Sequence, residues 1–399
     1  MKLIAYDEGK RLFVLDNGRF AYTIYVNDAG YLETVYFGAS RAEYGDIDCV
    51  RGAWESASPH YDVARGVELG YADKFKSDAA PLEISPHGVW DKRGAPVILR
   101  GADGAFETDF RYESYRIYAG LPALEGLPHA HGEGAETLEL TLRDRAHDAL
   151  LRLNLSLFAD KNVLVKNVEI ENVGKEPLRV LRAMSLQLDL PSADYDLVHF
   201  CGRWGKERDW CENSVHDGVQ EISSNFGRSS ADENPFVFLK ARGADEAQGE
   251  AIGFNLIYSG NFKFRAFVGM YRALHVTYGI NDEDFEWLLA SGERFTAPQA
   301  IIAYSDEGID AMEIAPFPRV EEHGTALADF DTARILAYID ASHKIGTELF
   351  VLDDGWFGAR SDDSRGLGDW WVNKEKVDLH KVMAHCKELG MKFGIWFEP

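Results

Sequence analysis

Up to about Tyr304 the apolar residues of this chain fall on every second position. "LELTLRDR" alternates through Leu138, Leu140 and Leu142, "LRLNLSLF" through Leu151, Leu153, Leu155 and Leu157, and "MSLQLDL" through Met184, Leu186, Leu188 and Leu190. A period of two is that of a strand that buries one face and leaves the other polar. Turn signals separate such runs, among them Asp16-Asn17-Gly18, Asn172-Val173-Gly174 and Ser259-Gly260-Asn261. Many short strands of this kind predict a large antiparallel sandwich with more than one pair of sheets. No repeat of fixed length is present.

Near Ile314 the period changes. "APFPRVEEHG" reads as a Pro-containing connector without a clear strand. "DTARILAYIDASHKIG" then sets Ile335, Leu336 and Ile339 at helical spacing, with Asp331 or Thr332 as cap and Gly346 as stop. The short apolar run "TELFVLDD" follows. A second helix is predicted in "DLHKVMAHCKELG", with Leu379, Val382, Met383, Cys386 and Leu389 on one face, Asp378 capping its start and Gly390 its end. The last segment, "MKFGIWFEP", is another apolar run. Helix, strand, helix, strand with apolar strands is the pattern of parallel βα units. The expected fold is therefore mainly β, then α/β, with domains over residues 1–315 and 316–399. Two strands do not make a stable parallel layer, and a barrel of such units needs eight. The chain is thus expected to be the N-terminal part of a longer polypeptide.

Composition narrows the partners. The 399 residues carry a formal net charge of −24, which argues against nucleic acid. A hydrophobic content of 46% is that of a globular protein. The N-terminus has no apolar signal-peptide core, and no run is long enough to span a membrane. Cys49, Cys201, Cys211 and Cys386 are scattered without a CxxC or Cys/His ligand pattern, so reduced structural thiols and a cytoplasmic location are expected.

The chemistry concentrates in "TELFVLDDGWFG". Asp353 and Asp354 stand side by side at the end of an apolar run, where two carboxylates repel and lose hydration. In parallel α/β layers ligands bind beyond the carboxyl ends of the strands, and Trp396 and Glu398 occupy the same place on the next run. Asp-Asp-Gly is also ordinary turn chemistry, and this alternative stays open. No His or Cys accompanies the pair, so a transition metal is not expected, and the nearby Ser361–Asp363 "SDD" matches no calcium loop. Trp356, Phe357, Trp370, Trp371, Trp396 and Phe397 cluster with it in sequence. Carboxylates that accept hydroxyl hydrogen bonds beside aromatic faces suit a sugar ring, whereas an anionic ligand would want cations.

"LFVLDDGWFGARSDDSRGLGDWWVNKEKV" followed by "LGMKFGIWFEP" closely resembles the start of the catalytic barrel in glycoside hydrolase family 36, the α-galactosidases. "GLPALEGLP", "LQLDLP", "GRWGKERD", "NPF", "GFNLIYSGNF", "GINDEDFEW" and "LASGERFTAPQAIIAYSDEG" extend the resemblance upstream over nearly the whole chain. The resemblance implies a β-supersandwich, the first units of a (β/α)8 barrel, and cleavage of terminal α-galactosides with retention, without a cofactor. An aspartate nucleophile and a second carboxyl group acting as acid, then base, carry out that reaction. The resemblance assigns Asp353 and Asp354 to galactose hydroxyls and Trp396 to the sugar subsite; Trp356 and Trp370, from the aromatic cluster, are weaker candidates. It also implies homo-oligomers, often tetramers.

The nucleophile of the family follows a Lys-Trp pair and the acid/base lies beyond a glycine-rich stretch; neither motif occurs in residues 320–399. This chain alone is expected to be inactive. Trp90-Asp91 in "VWDKR" lacks the preceding lysine and reads as a decoy or a surface turn, or as a loop that approaches a neighbouring subunit's site. His323 stands where the family has a substrate-contacting tryptophan, which bears on the subsite. The alternatives are an α-N-acetylgalactosaminidase or galactosyl transferase of the same family, or a non-catalytic carbohydrate-binding or assembly module.

Overall fold

The computed structural model describes residues 2–44, 61–62, 67–68, 77, 80–89, 91–203, 206–229, 232–269, 271–312, 319–322, 330–360, 362 and 364–397. The chain divides into two compact units, Met1–Glu313 and Ile314–Pro399.

The first unit is mainly antiparallel β. Among its described residues, strands Ile4–Asp7, Leu12–Asp16, Phe20–Val26 and Leu32–Ala39 make a four-stranded sheet, beside sheets of ten and six strands. The alternating leucines behave as their spacing predicts. Strand Ala149–Phe158 pairs with Ala135–Asp144 so that Leu151 faces Leu142, Leu153 faces Leu140 and Leu155 faces Leu138. All six are buried in one core that also holds Phe254, Phe264 and Tyr278.

The other face of these strands departs from the prediction. In strand Leu178–Leu190 the polar alternates Ser185, Gln187 and Asp189 are buried as thoroughly as the leucines between them. Residues 80–89 and 91–96 meet the hydrogen bonds of Gln187 and Asp189, while the Ser185 hydroxyl is buried with no hydrogen-bond partner among the described residues. Leu82 N donates to Asp189 Oδ2 at 3.0 Å, Ser85 N donates to Gln187 Oε1 at 2.9 Å, and Gln187 Nε2 returns a bond to the Leu82 carbonyl at 2.6 Å. Arg93 reaches Asp189 at 2.7 Å and Asp91 at 2.7 Å, and His275 Nδ1 donates to the other oxygen of Asp189. Burial alone would raise the pKa of Asp189, but Arg93 and His275 overcome it and hold the carboxyl below its usual range. Beside this group, the fully buried Lys166 Nζ meets the fully buried Glu83 at 2.6 Å and the Gln187 carbonyl at 2.9 Å. Tyr22 and Thr34 donate to the remaining oxygen of Glu83. Buried polar groups persist when each finds such partners.

In the second unit, strands Arg319–Glu322, Leu349–Leu352 and Lys392–Ile395 lie parallel in that order. Helices Thr332–Lys344 and Leu379–Glu388 connect them. The first strand corrects the connector expected at "APFPRVEEHG": Val320 pairs with Phe350 and Glu322 with Leu352. This strand has little apolar pattern of its own and is defined by its neighbour. Asp331 caps the first helix by accepting from Arg334 N at 2.9 Å, and Asp378 caps the second by accepting from Lys381 N at 3.2 Å. Both helices end alike. Gly346 (φ +85°) and Gly390 (φ +72°) take the left-handed position, and the next residues, Thr347 and Met391, donate back to Ser342 and Cys386. Ile335, Ile339, Val382 and Cys386 pack with Phe350 and Leu352 in one core, while Met383, assigned to the buried face by its spacing, is largely exposed. Asp331→Ala should cost about 1 kcal/mol of stability, read by urea denaturation, because it leaves N-terminal amide donors of the helix unpaired.

Candidate functional site

Parallel pairing of Leu352 with Ile395 brings the carboxyl ends of two strands side by side. The residues that follow them, Asp353 and Trp396, are therefore neighbours, and Trp396 N donates to the Leu352 carbonyl at 3.0 Å. Asp353 and Asp354 leave the strand into a turn with Gly355 at φ +91°. Asp353 Oδ1 accepts from Asp354 N at 2.7 Å, which holds the first carboxylate against the backbone of the next residue.

The second carboxylate is held differently. Arg360 grips Asp354 with Nε at 2.8 Å from Oδ1 and a terminal nitrogen at 2.7 Å from Oδ2, a planar fork on a planar acceptor. Both side chains are at least 85% buried, which makes the pair part of the site's frame rather than a surface contact. Arg360 also donates to the Arg365 carbonyl at 3.1 Å, and Lys376 Nζ caps the Arg360 carbonyl at 2.7 Å. Burial pushes the Lys376 ammonium below its ordinary pKa, and the nearby Asp354 charge works the other way. The repulsion expected between adjacent carboxylates is thus relieved by cations drawn from later in the loop.

The aromatic residues divide by depth. Trp356 and Phe357 are buried in the core of the unit, and the Trp356 indole N–H donates to the Trp396 carbonyl at 3.0 Å. Trp370 stands half-buried over them, 4.4 Å from Phe357 and 6.2 Å from Trp356 between centroids. Trp396 stacks on Phe357 at 6.2 Å and meets Trp370 edge-on at 6.1 Å. Trp371 and Phe397 are exposed. Asn373 closes the loop by donating from its backbone to the Trp356 carbonyl and from its side chain to the Gly358 carbonyl, each at 2.9 Å. Two carboxylates with fixed orientations beside half-buried indoles can accept hydroxyl hydrogen bonds while covering apolar C–H surface.

The structure brings Asp353, Asp354, Trp356, Trp370 and Trp396 together. Asp91 lies in the other unit, its carboxylate wholly buried against Arg93. Trp90, His323 and Glu398 lie outside the described residues. Sequence reasoning missed Arg360 and Lys376, because a bond from Asp354 to a residue six positions on follows no local periodicity. Among the described residues no group of three or more His, Cys, Asp or Glu side chains is arranged to hold a metal ion. No helix among them is long and apolar enough to cross a membrane.

The profile of the glycosyl hydrolase family 36 N-terminal domain matches residues 30–290, and that of melibiase matches residues 319–399. The chain is 37% identical to alpha-galactosidase AgaA of Geobacillus stearothermophilus over 99% of its own length and 56% of that protein's. It is 33% identical to alpha-galactosidase 1 of Pediococcus pentosaceus over 100% of its length and 57% of the relative's. Among solved structures, alpha-galactosidase AgaB of G. stearothermophilus superposes with a TM-score of 0.81 at 34% identity, covering 100% of this chain and 57% of that one. A variant of AgaA in complex with raffinose superposes with a TM-score of 0.79 at 35% identity, covering 97% and 56%. The chain therefore spans about half the length of the curated relatives it matches.

Proposed function

Because this chain belongs to glycosyl hydrolase family 36, we propose that it supplies the β domain and the sugar-gripping start of the catalytic domain of a retaining α-galactosidase. The substrates are terminal α-galactosides of the raffinose and melibiose type. The observation that carries this reading is the placement of Asp353 and Asp354 directly beyond a parallel strand, beside Trp396 on the next. Asp353 and Asp354 accept hydrogen bonds from galactose hydroxyls, and Trp396, supported by Trp370, covers the apolar side of the ring. Trp356 serves the site from beneath.

The nucleophile and the acid/base are assigned to no residue of this sequence; we place them in the additional length that the relatives possess. The strand–helix–strand–helix–strand layer is read as the beginning of a (β/α)8 barrel, following a β domain over residues 1–315. A cytoplasmic homo-oligomer is the expected setting. The resemblance to the family supports these readings, and the described residues contain the parallel units that such a barrel repeats.

The test is turnover of an aryl α-galactoside by the full-length protein and its Asp353→Asn variant. The variant should lose at least about tenfold in kcat/KM, or about 1.4 kcal/mol of transition-state binding. A value near wild type would remove the clamp assignment. Preference for a 2-acetamido sugar over galactose would point instead to an α-N-acetylgalactosaminidase.

A further inference from the structure

Strands Tyr195–Arg203 and Lys206–Ser214 form a hairpin at one edge of the ten-stranded sheet. His199 faces Cys211 and Cys201 faces Asp209, so the two cysteines are a diagonal pair on one face. In a regular ladder diagonal neighbours stand about 7–8 Å apart, beyond the reach of a disulfide at about 4.4–6.8 Å between Cα atoms. The pairing of the two strands is regular from His199 to Cys201 and becomes irregular just beyond it. The register shifts between Cys201 and Arg203 against one neighbouring strand, and between His199 and Cys201 against the other, Glu233–Ala241.

The two Sγ atoms nonetheless approach to 2.9 Å. This is inside the ~3.5–4.0 Å of ordinary nonbonded contact and within about 1 Å of a sulfur–sulfur bond. Both thiols are only half-buried, so a small reagent can reach them. The opposite face of the hairpin is already fastened. Trp210 packs edge-on against Phe200 at 5.7 Å and against Phe238 at 5.3 Å.

We propose that Cys201 and Cys211 form a reversible oxidation site that takes low-molecular-weight disulfides such as oxidised glutathione. One cysteine thiolate attacks the small disulfide, forming a mixed disulfide and releasing one small thiol. The second cysteine then attacks the protein sulfur of that adduct and releases the other small thiol. Two cysteine thiols are oxidised to one disulfide, and one small disulfide is reduced to two thiols. The bond ties the sheet's edge strand Lys206–Ser214 to its neighbour.

The test uses the reduced chain, incubated folded with oxidised glutathione, quenched with acid, alkylated under denaturing conditions and digested with trypsin. Trypsin cuts after Arg203, Lys206 and Arg208, which separates the two cysteines. The expected product is a linked peptide pair lighter by two hydrogens than the reduced peptides together, with both thiols lost to alkylation and the link reversed by dithiothreitol. In the Cys201→Ser variant, Cys211 should carry a stable glutathione adduct instead. In urea the wild-type chain should shift from the internal link to separate adducts. Separate glutathione adducts on Cys201 and Cys211 of the folded chain would overturn the proposal. So would two free thiols after a treatment that fully modifies the unfolded chain.

Discussion

Lys166→Met should destabilise the β unit by about 3–5 kcal/mol, the cost of leaving a buried charge without its partner. Lys166 and Glu83 meet at 2.6 Å with both side chains fully buried. Glu83 would keep the hydroxyls of Tyr22 and Thr34 but lose the ammonium of Lys166. Adding Glu83→Gln should recover most of the loss, because the amide oxygen still accepts from those hydroxyls and the uncompensated charge is gone. Urea denaturation of the single and double variants measures both effects. Equal stabilities for the wild type and Lys166→Met would show that the pair is dispensable.

Arg360→Ala should cost the second unit a similar amount, about 3 kcal/mol at the lower end of the range for a broken buried pair. The lower end applies because Lys376 lies close enough to feel the Asp354 charge and offsets part of the loss. Arg360→Lys should be only a partial rescue, since an ammonium cannot reproduce the two-pronged grip on Asp354. Hydrogen exchange of amides in residues 353–377 reads the change locally. In the full-length protein the same substitution should lower kcat/KM for an aryl α-galactoside together with the rise in exchange. Unchanged exchange in Arg360→Ala would mean that the loop is held by Asn373 and the aromatic stack alone.

The contrast between the two units shows what could be read in advance. The alternating leucines announced the sandwich because strand burial has a period of two, and those residues do form its core. Their polar partners were expected to face solvent. Ser185, Gln187 and Asp189 are buried instead, and a segment some hundred residues earlier in the chain meets the hydrogen bonds of Gln187 and Asp189. No local pattern records such a long-range match. The helices were legible through Asp331, Asp378, Gly346 and Gly390, whose roles are settled within one turn. Strand Arg319–Glu322 was not, since its pairing with Leu349–Leu352 defines it more than its own composition. At the site, the adjacency of Asp353 and Asp354 was visible as an oddity. The sequence did not separate Trp356 and Phe357, which sink into the core, from Trp370 and Trp396, which remain partly open.

The polar clasp over strand Leu178–Leu190 also orders events in time. Leu82 and Asp189 are 107 residues apart in sequence. At roughly 5–20 residues per second, a ribosome needs about 5–20 s to supply the second after the first. Glu83 lacks Lys166 and Arg93 lacks Asp189 until each is made, although Tyr22, Thr34 and Asp91 are already in the chain. The polar contacts between this segment and strand Leu178–Leu190 can therefore form only after both have been made.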